Sequence, residues 1–383
     1  MPTEQGPHAD SVIGSPHREY SDAIIVTQEP TGRQFSDVDD RIAYCRGLFR
    51  AGGPLHYLAH CSPGSRDFDL YAPGGPGQDD DRRVENCRRV ARRLSFQSGQ
   101  VMHEWLRPLG QGVPLRTVLQ SAGGAFYCAR VVPSVLLVAG TLSLATDQVA
   151  SLARQPAVQE ADSALSQLVD QIRASIRLPR QNLGAWDTKH FRESAFDRDV
   201  ADSPSQLSAG APQPVPAIGS TTRRNLETSV ASRRDLAITG DRHHWAFNAC
   251  AAAVDGTGLH LVACFNDKAQ LFSVDALGTP ELRGVAYHHS PSHRRQQVNA
   301  MGPATAAYLR ELGRTARPAI GGPVVRAVLD TDIGAIYYYR LSGREYVIGL
   351  CLDQDQVDIA DDHLTEVVLA VSGSAAAAVQ PLR

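Results

Sequence analysis

Lysine is almost missing from this sequence. Lys189 and Lys268 are the two that occur, so nearly all the positive charge is arginine, a bias of the kind a GC-rich bacterial genome imposes. No sign of charge dominates either: the formal net charge is −3, which leaves no basic footprint for a nucleic-acid partner. Long hydrophobic runs are lacking. The most apolar stretch, Val131–Leu144, is too short to span a bilayer and contains Pro133, so it reads as a pair of buried strands. The seven cysteines include no C-x-x-C pair and are scattered, as expected of reduced, buried thiols in a cytoplasmic protein. The N-terminus has no basic start followed by an apolar core, so no secretory signal is expected. There is no H-E-x-x-H and no G-x-x-x-x-G-K-[ST], which removes the zincin and P-loop signatures, and no cofactor is expected.

What is present is an ordinary globular balance, 43% hydrophobic and 21% charged, in a 383-residue chain long enough for two domains. Residues 1–22 are polar, with Pro and Gly, and read as a disordered tail; residues 377–383 read as a second one. Residues 179–236 are rich in Pro, Ser, Ala and Gly and read as a linker, because such a segment buries too little apolar surface to offset its ordering entropy. This leaves two blocks, 23–178 and 237–376.

The blocks match one another. "LHYLAHCSPGSRDFDLYAPGG" (55–75) and "LHLVACFNDKAQLFSVDALGT" (259–279) share Leu-His, an apolar run, a Cys, a polar turn and a second run, with His56 and His260 standing 204 residues apart. "EWLRPLG" at 104 and "AYLRELG" at 307 follow with an offset of 203. "GAFYCAR" at 124 and "GAIYYYR" at 334 share an offset of 210, which also relates Arg116 to Arg326 and Arg130 to Arg340. "TDQVASLA" at 146 and "QDQVDIAD" at 354 close the series with an offset of 208. Four matches in one order indicate an internal duplication, with drifts where loops absorb insertions.

Each unit reads β-β-α-β-β-β-α. Strands are expected at "HYLAHC" and "FDLYAP", and near 116–120, 125–132 and 135–142. Their counterparts are "HLVACF", "QLFSVDA", and strands near 324–329, 334–341 and 345–352. Helices are expected within 79–110 and 293–313, and from Asp147 and Asp355, each closing helix with acidic residues at its start. Residues 37–53 and 245–258 fit either helix or strand; Asp255-Gly256 is a hairpin signal leading into the Leu259 strand. The fold class is α+β, two homologous domains each with a central antiparallel sheet flanked by helices.

This element order resembles the roadblock/LC7 and longin-type domains of the profilin-like group, with GAF and PAS domains as alternatives. The roadblock resemblance implies a non-enzymatic protein that pairs through sheet edges and helices and holds a protein partner such as a small GTPase. A duplicated chain forms that pair internally, since a two-fold interface needs the same patch twice. The GAF/PAS alternative implies a small-molecule sensor or an enzyme with a pocket between sheet and helices. A self-assembling structural protein, a homo-oligomer built on sheet edges, is the third reading.

Candidate binding residues follow from the duplicated positions. Arg130 and Arg340 end equivalent strands and could clamp an anion or a partner carboxylate, and Arg116 and Arg326 form a second duplicated pair. His56 and His260 each precede a strand cysteine. On a regular strand His260 and Cys264 would share a face and His56 and Cys61 would not, so a Cys-His nucleophile is not supported and no catalytic residue is assigned. His288, His289 and His293 are candidate metal ligands, set against a polar loop as the alternative. "APGGPGQDDD" (72–81) is Gly-rich, but its three aspartates repel phosphate.

Overall fold

In the computed structural model of the chain, residues 24–28, 38–49, 53–62, 65–72, 80–98, 106, 111–142, 155–181, 241–254, 256, 258–267, 269–279, 282 and 290–378 are described. The expected N-terminal tail, most of the Gly-rich loop, most of the linker, the Asp147 helix start, His288, His289 and residues 379–383 lie outside these residues, and residues 377 and 378, expected in the second tail, end a helix instead.

Among the described residues eleven strands form one antiparallel sheet. The first half contributes β1 (Ile25–Gln28), β2 (Tyr57–Ser62), β3 (Ser65–Tyr71), β4 (Pro114–Ser121), β5 (Gly124–Val132) and β6 (Val135–Leu142). The second contributes β7 (Leu261–Asn266), β8 (Ala269–Asp275), β9 (Arg326–Thr331), β10 (Ala335–Arg340) and β11 (Glu345–Cys351). The spatial order is β1-β3-β2-β6-β5-β4-β9-β10-β11-β7-β8, so the halves meet where β4 pairs with β9.

Among the described residues six α-helices cover the sheet: α1 (Val38–Leu48), α2 (Asp80–Phe96), α3 (Pro156–Ser175), α4 (Asp241–Ala253), α5 (Pro291–Ile320) and α6 (Val357–Ala378). One core lies under α1, α3, α4 and α6, and the other under α2 and α5, giving a helix–sheet–helix sandwich. Among the described residues no helix is long and apolar enough to cross a membrane.

Of the two segments left open, 37–53 and 245–258, the described residues form helix over Val38–Leu48 and, as the end of α4, through Ala253. Cys250 on α4 and Val254 just past its end bury into the same core as Cys45 on α1 and Phe49 just past that helix, while Asp255 of the expected hairpin turn lies outside the described residues. α5 runs well past the expected 293–313 and carries Pro303 and Pro318 inside it. β1 was not expected; it adds antiparallel to β3.

The halves run through the same element order and agree in finer detail. β2 pairs β3 with Tyr57 opposite Tyr71, and β7 pairs β8 with Leu261 opposite Asp275; both partners shift by 204 residues. The register slips after His60 in the first pair and after Cys264 in the second, again 204 apart, so each hairpin has its bulge in the same place.

Candidate functional site

The β4–β9 junction is built around a point where Val118 faces Val328, each the other's counterpart at an offset of 210. On one side Arg116 faces Asp330; on the other Gln120 faces Arg326. Arg116 is 3% exposed, and its guanidinium donates to Asp330 and to Asp162 on α3. Arg326 is equally buried and donates to Asp361 on α6, to the Tyr339 hydroxyl at 2.8 Å, and to Gln120 Oε1 at 3.3 Å. The Tyr339 hydroxyl in turn donates to Asp361 Oδ1 at 2.8 Å. Two guanidiniums thus face three buried carboxylates. Burial pushes the Asp330 carboxyl up to about 7 against the pull of Arg116, and raises Asp162 in the same direction. Both guanidiniums are turned inward to carboxylates of this chain, because β4 and β9 are central strands with a core on each face.

His56 and His260 are also drawn into the fold. His56 Nδ1 accepts the Leu142 backbone N–H at 3.2 Å, and His260 Nδ1 accepts that of Leu352 at 3.0 Å. Burial lowers the His56 pKa, favouring the neutral ring that this acceptor role needs. Cys61 and Cys264 line opposite cores, so the two halves share no Cys-His geometry. All seven thiols are buried and free; burial pushes Cys45 and Cys87 up to about 12 and Cys128 to about 11, far from a nucleophile's range.

Sequence reasoning missed the polar group on β2 and β3. His60 Nδ1 lies 2.7 Å from Asp67 Oδ2, Ser62 Oγ donates to the same carboxylate, and Arg41 on α1 lies 3.2 Å from His60 Nε2. The aspartate stands between serine and histidine, so His60 has no path to the Ser62 proton, and the arrangement is not a nucleophile triad. Asp67 was not legible because it owes its place to the β-bulge.

Arg130 and Arg340 differ. Arg130 is capped, its Nη2 donating to the Ser98 carbonyl at 3.0 Å. Arg340 donates from Nε to the Ser342 carbonyl at 2.9 Å and lines a cavity of about 430 Å³ between α5 and the β10–β11 turn. Arg310, Arg314, Arg317 and Arg344 line the same cavity, over a floor that includes Tyr338. Glu345 also lines it and faces His243 at 3.7 Å. Of the candidate metal ligands, His293 is exposed on the first turn of α5. No group of three or more His, Cys, Asp or Glu among the described residues could hold a metal ion.

No protein-family model matches the chain, and no curated protein matches it. Among solved structures, the gliding protein MglB from Thermus thermophilus is similar over 35% of this chain and 93% of that one, at 13% sequence identity and a TM-score of 0.27.

Proposed function

We propose that the chain is a cytoplasmic, non-enzymatic scaffold whose two halves, a duplicated roadblock-like unit, act as one fused pair that binds a protein partner, with a small GTPase as the partner class. The observation that carries this reading is the β4–β9 junction. It joins two units of like topology about a local two-fold and brings α2 and α5 together on one face, where Asn86 reaches the Pro318 carbonyl at 3.3 Å. A two-helix surface of this kind suits a partner surface better than a substrate cleft.

The test is titration of the intact chain with small GTPases of the producing cell, loaded with GDP or a non-hydrolysable GTP analogue. A complex of one GTPase per chain is expected, weakened by Arg89→Glu on the exposed face of α2. Failure of every GTPase to bind in either nucleotide state, with the fold intact, would count against the partner class. Turnover of a small substrate would count against the non-enzymatic reading.

A further inference from the structure

The cavity beside Arg340 holds more positive charge than the fold requires. Arg310, Arg314 and Arg317 recur at helical spacing along one face of α5, and like charges so placed destabilise a helix. The negative C-terminal end of α5 offsets Arg317 in the last turn, but its effect does not extend back to Arg310. Arg340 and Arg344 close the cavity from the β10–β11 turn. Arg314 pairs with Glu311, and Arg344 lies 3.7 Å from Asp267. Among the described residues, Arg310, Arg317 and Arg340 have no carboxylate partner, and Glu345 is the one acid on the cavity wall.

Among the described residues the first half has no such site. The spacing from Gly110 to Pro114 is seven residues shorter than that from Gly313 to Val324, and Arg314 and Arg317 fall inside the extra length. Arg344 stands where the first half has Ser134, and Arg130 is capped by Ser98. Arg107 and Arg130 stand at the positions of Arg310 and Arg340, so Arg314, Arg317 and Arg344 are the arginines the second half carries beyond the shared plan, and neither the sheet nor the junction uses those three.

We infer that this cavity binds a small ligand carrying two or more phosphate groups. Guanidinium forks match phosphate oxygens two at a time, and several converging forks suit a polyphosphate better than a single carboxylate. A volume of about 430 Å³ accommodates a small molecule, and the wall of Tyr338, Leu309 and Val324 gives its organic part an apolar surface. The inference does not rest on the protein-partner reading: both use α5, but the cavity lies between α5 and the β10–β11 turn, and its test reads a phosphate ligand rather than a protein.

The experiment is calorimetric titration of the full chain with inorganic tripolyphosphate, at ionic strength matched with sodium chloride. Three proteins are compared: the native chain, Arg310→Gln/Arg317→Gln, and the charge-matched control Arg46→Gln/Arg177→Gln, at exposed positions on the opposite face of the sheet. Binding to the native chain and the control, with at least a tenfold loss in the cavity variant, is the expected result. No binding to the native chain, or an equal loss in both variants, overturns it. A hexaglutamate peptide that binds through Arg310 and Arg317 while tripolyphosphate does not would assign the cavity to an acidic protein segment instead. Arg310→Lys/Arg317→Lys keeps the charge without the fork and should recover binding only in part; full recovery would overturn the bidentate geometry.

Discussion

At the scale of the residue, Asp330 shows how the junction holds its charge. One carboxylate oxygen meets Arg116; the other is buried without a donor, as is Oδ1 of Asp162. Three carboxylates against two guanidiniums leave one negative charge uncompensated, and a bound proton cancels it. The folded state therefore holds that proton up to about pH 7, while an unfolded aspartate releases it near pH 4. Between those values the native state binds more protons than the unfolded one, so this group's contribution makes stability fall as pH rises, then level off above about 7. Asp330→Asn removes the titration. The stability difference between native protein and variant, from urea midpoints at pH 5 and pH 8, should shift against the native protein at the higher pH; a pH-independent difference would sink the idea. Arg116→Ala leaves Asp162 and Asp330 without a cation and should cost roughly 3–5 kcal/mol in the same measurement. Arg116 and Arg326 were legible as a duplicated pair. Their acids were not, because Asp330 lies 214 residues from Arg116, and at that position the copies differ: Gln120 stands where the other half has Asp330.

At the scale of the element, the shared residues of "GAFYCAR" and "GAIYYYR" have physical reasons. A Cβ on Gly124 would stand 2.5 Å from the Thr141 carbonyl oxygen, and one on Gly334 would stand 2.2 Å from that of Cys351. Tyr127 donates to the Val158 carbonyl at 2.9 Å and Tyr337 to that of Val357 at 2.6 Å, tying each strand to its closing helix. Gly334→Ala must push a hydrogen-bonded strand aside and should cost about 1–3 kcal/mol, read as a lowered thermal midpoint; an unchanged midpoint would contradict the close approach. Most strands could be read from sequence because turn residues bound their apolar runs. β1 is only four residues long and gives too little pattern. α5 was underread at its C-terminal end, because Gly313 and Pro318 signal a stop that the buried residues Ala316, Ala319 and Ile320 override.

At the scale of the whole molecule, the two-fold plan is imperfect. Five strands in each half correspond, and β1 is the eleventh, so one sheet edge carries an added strand and the β8 edge has none among the described residues. The unequal pair Gln120 and Asp330 has a larger consequence, which concerns what each half would do without the other. If two copies of the first half paired through β4 in the present register, Arg116 would face Gln120 twice, and two guanidiniums would be buried with two Asp162 carboxylates. Two copies of the second half would bury two Arg326 with four carboxylates, from Asp330 and Asp361. The first pairing is charge-balanced and the second is not. Expressed alone, residues 23–178 should therefore sediment as a homodimer at neutral pH, whereas residues 237–383 should do so only when acid supplies protons to the excess carboxylates. Equally tight dimers of the second half at pH 5 and pH 8 would refute this. On this account one difference between the halves, an acid for an amide, makes the second half a poor partner for itself and a workable one for the first.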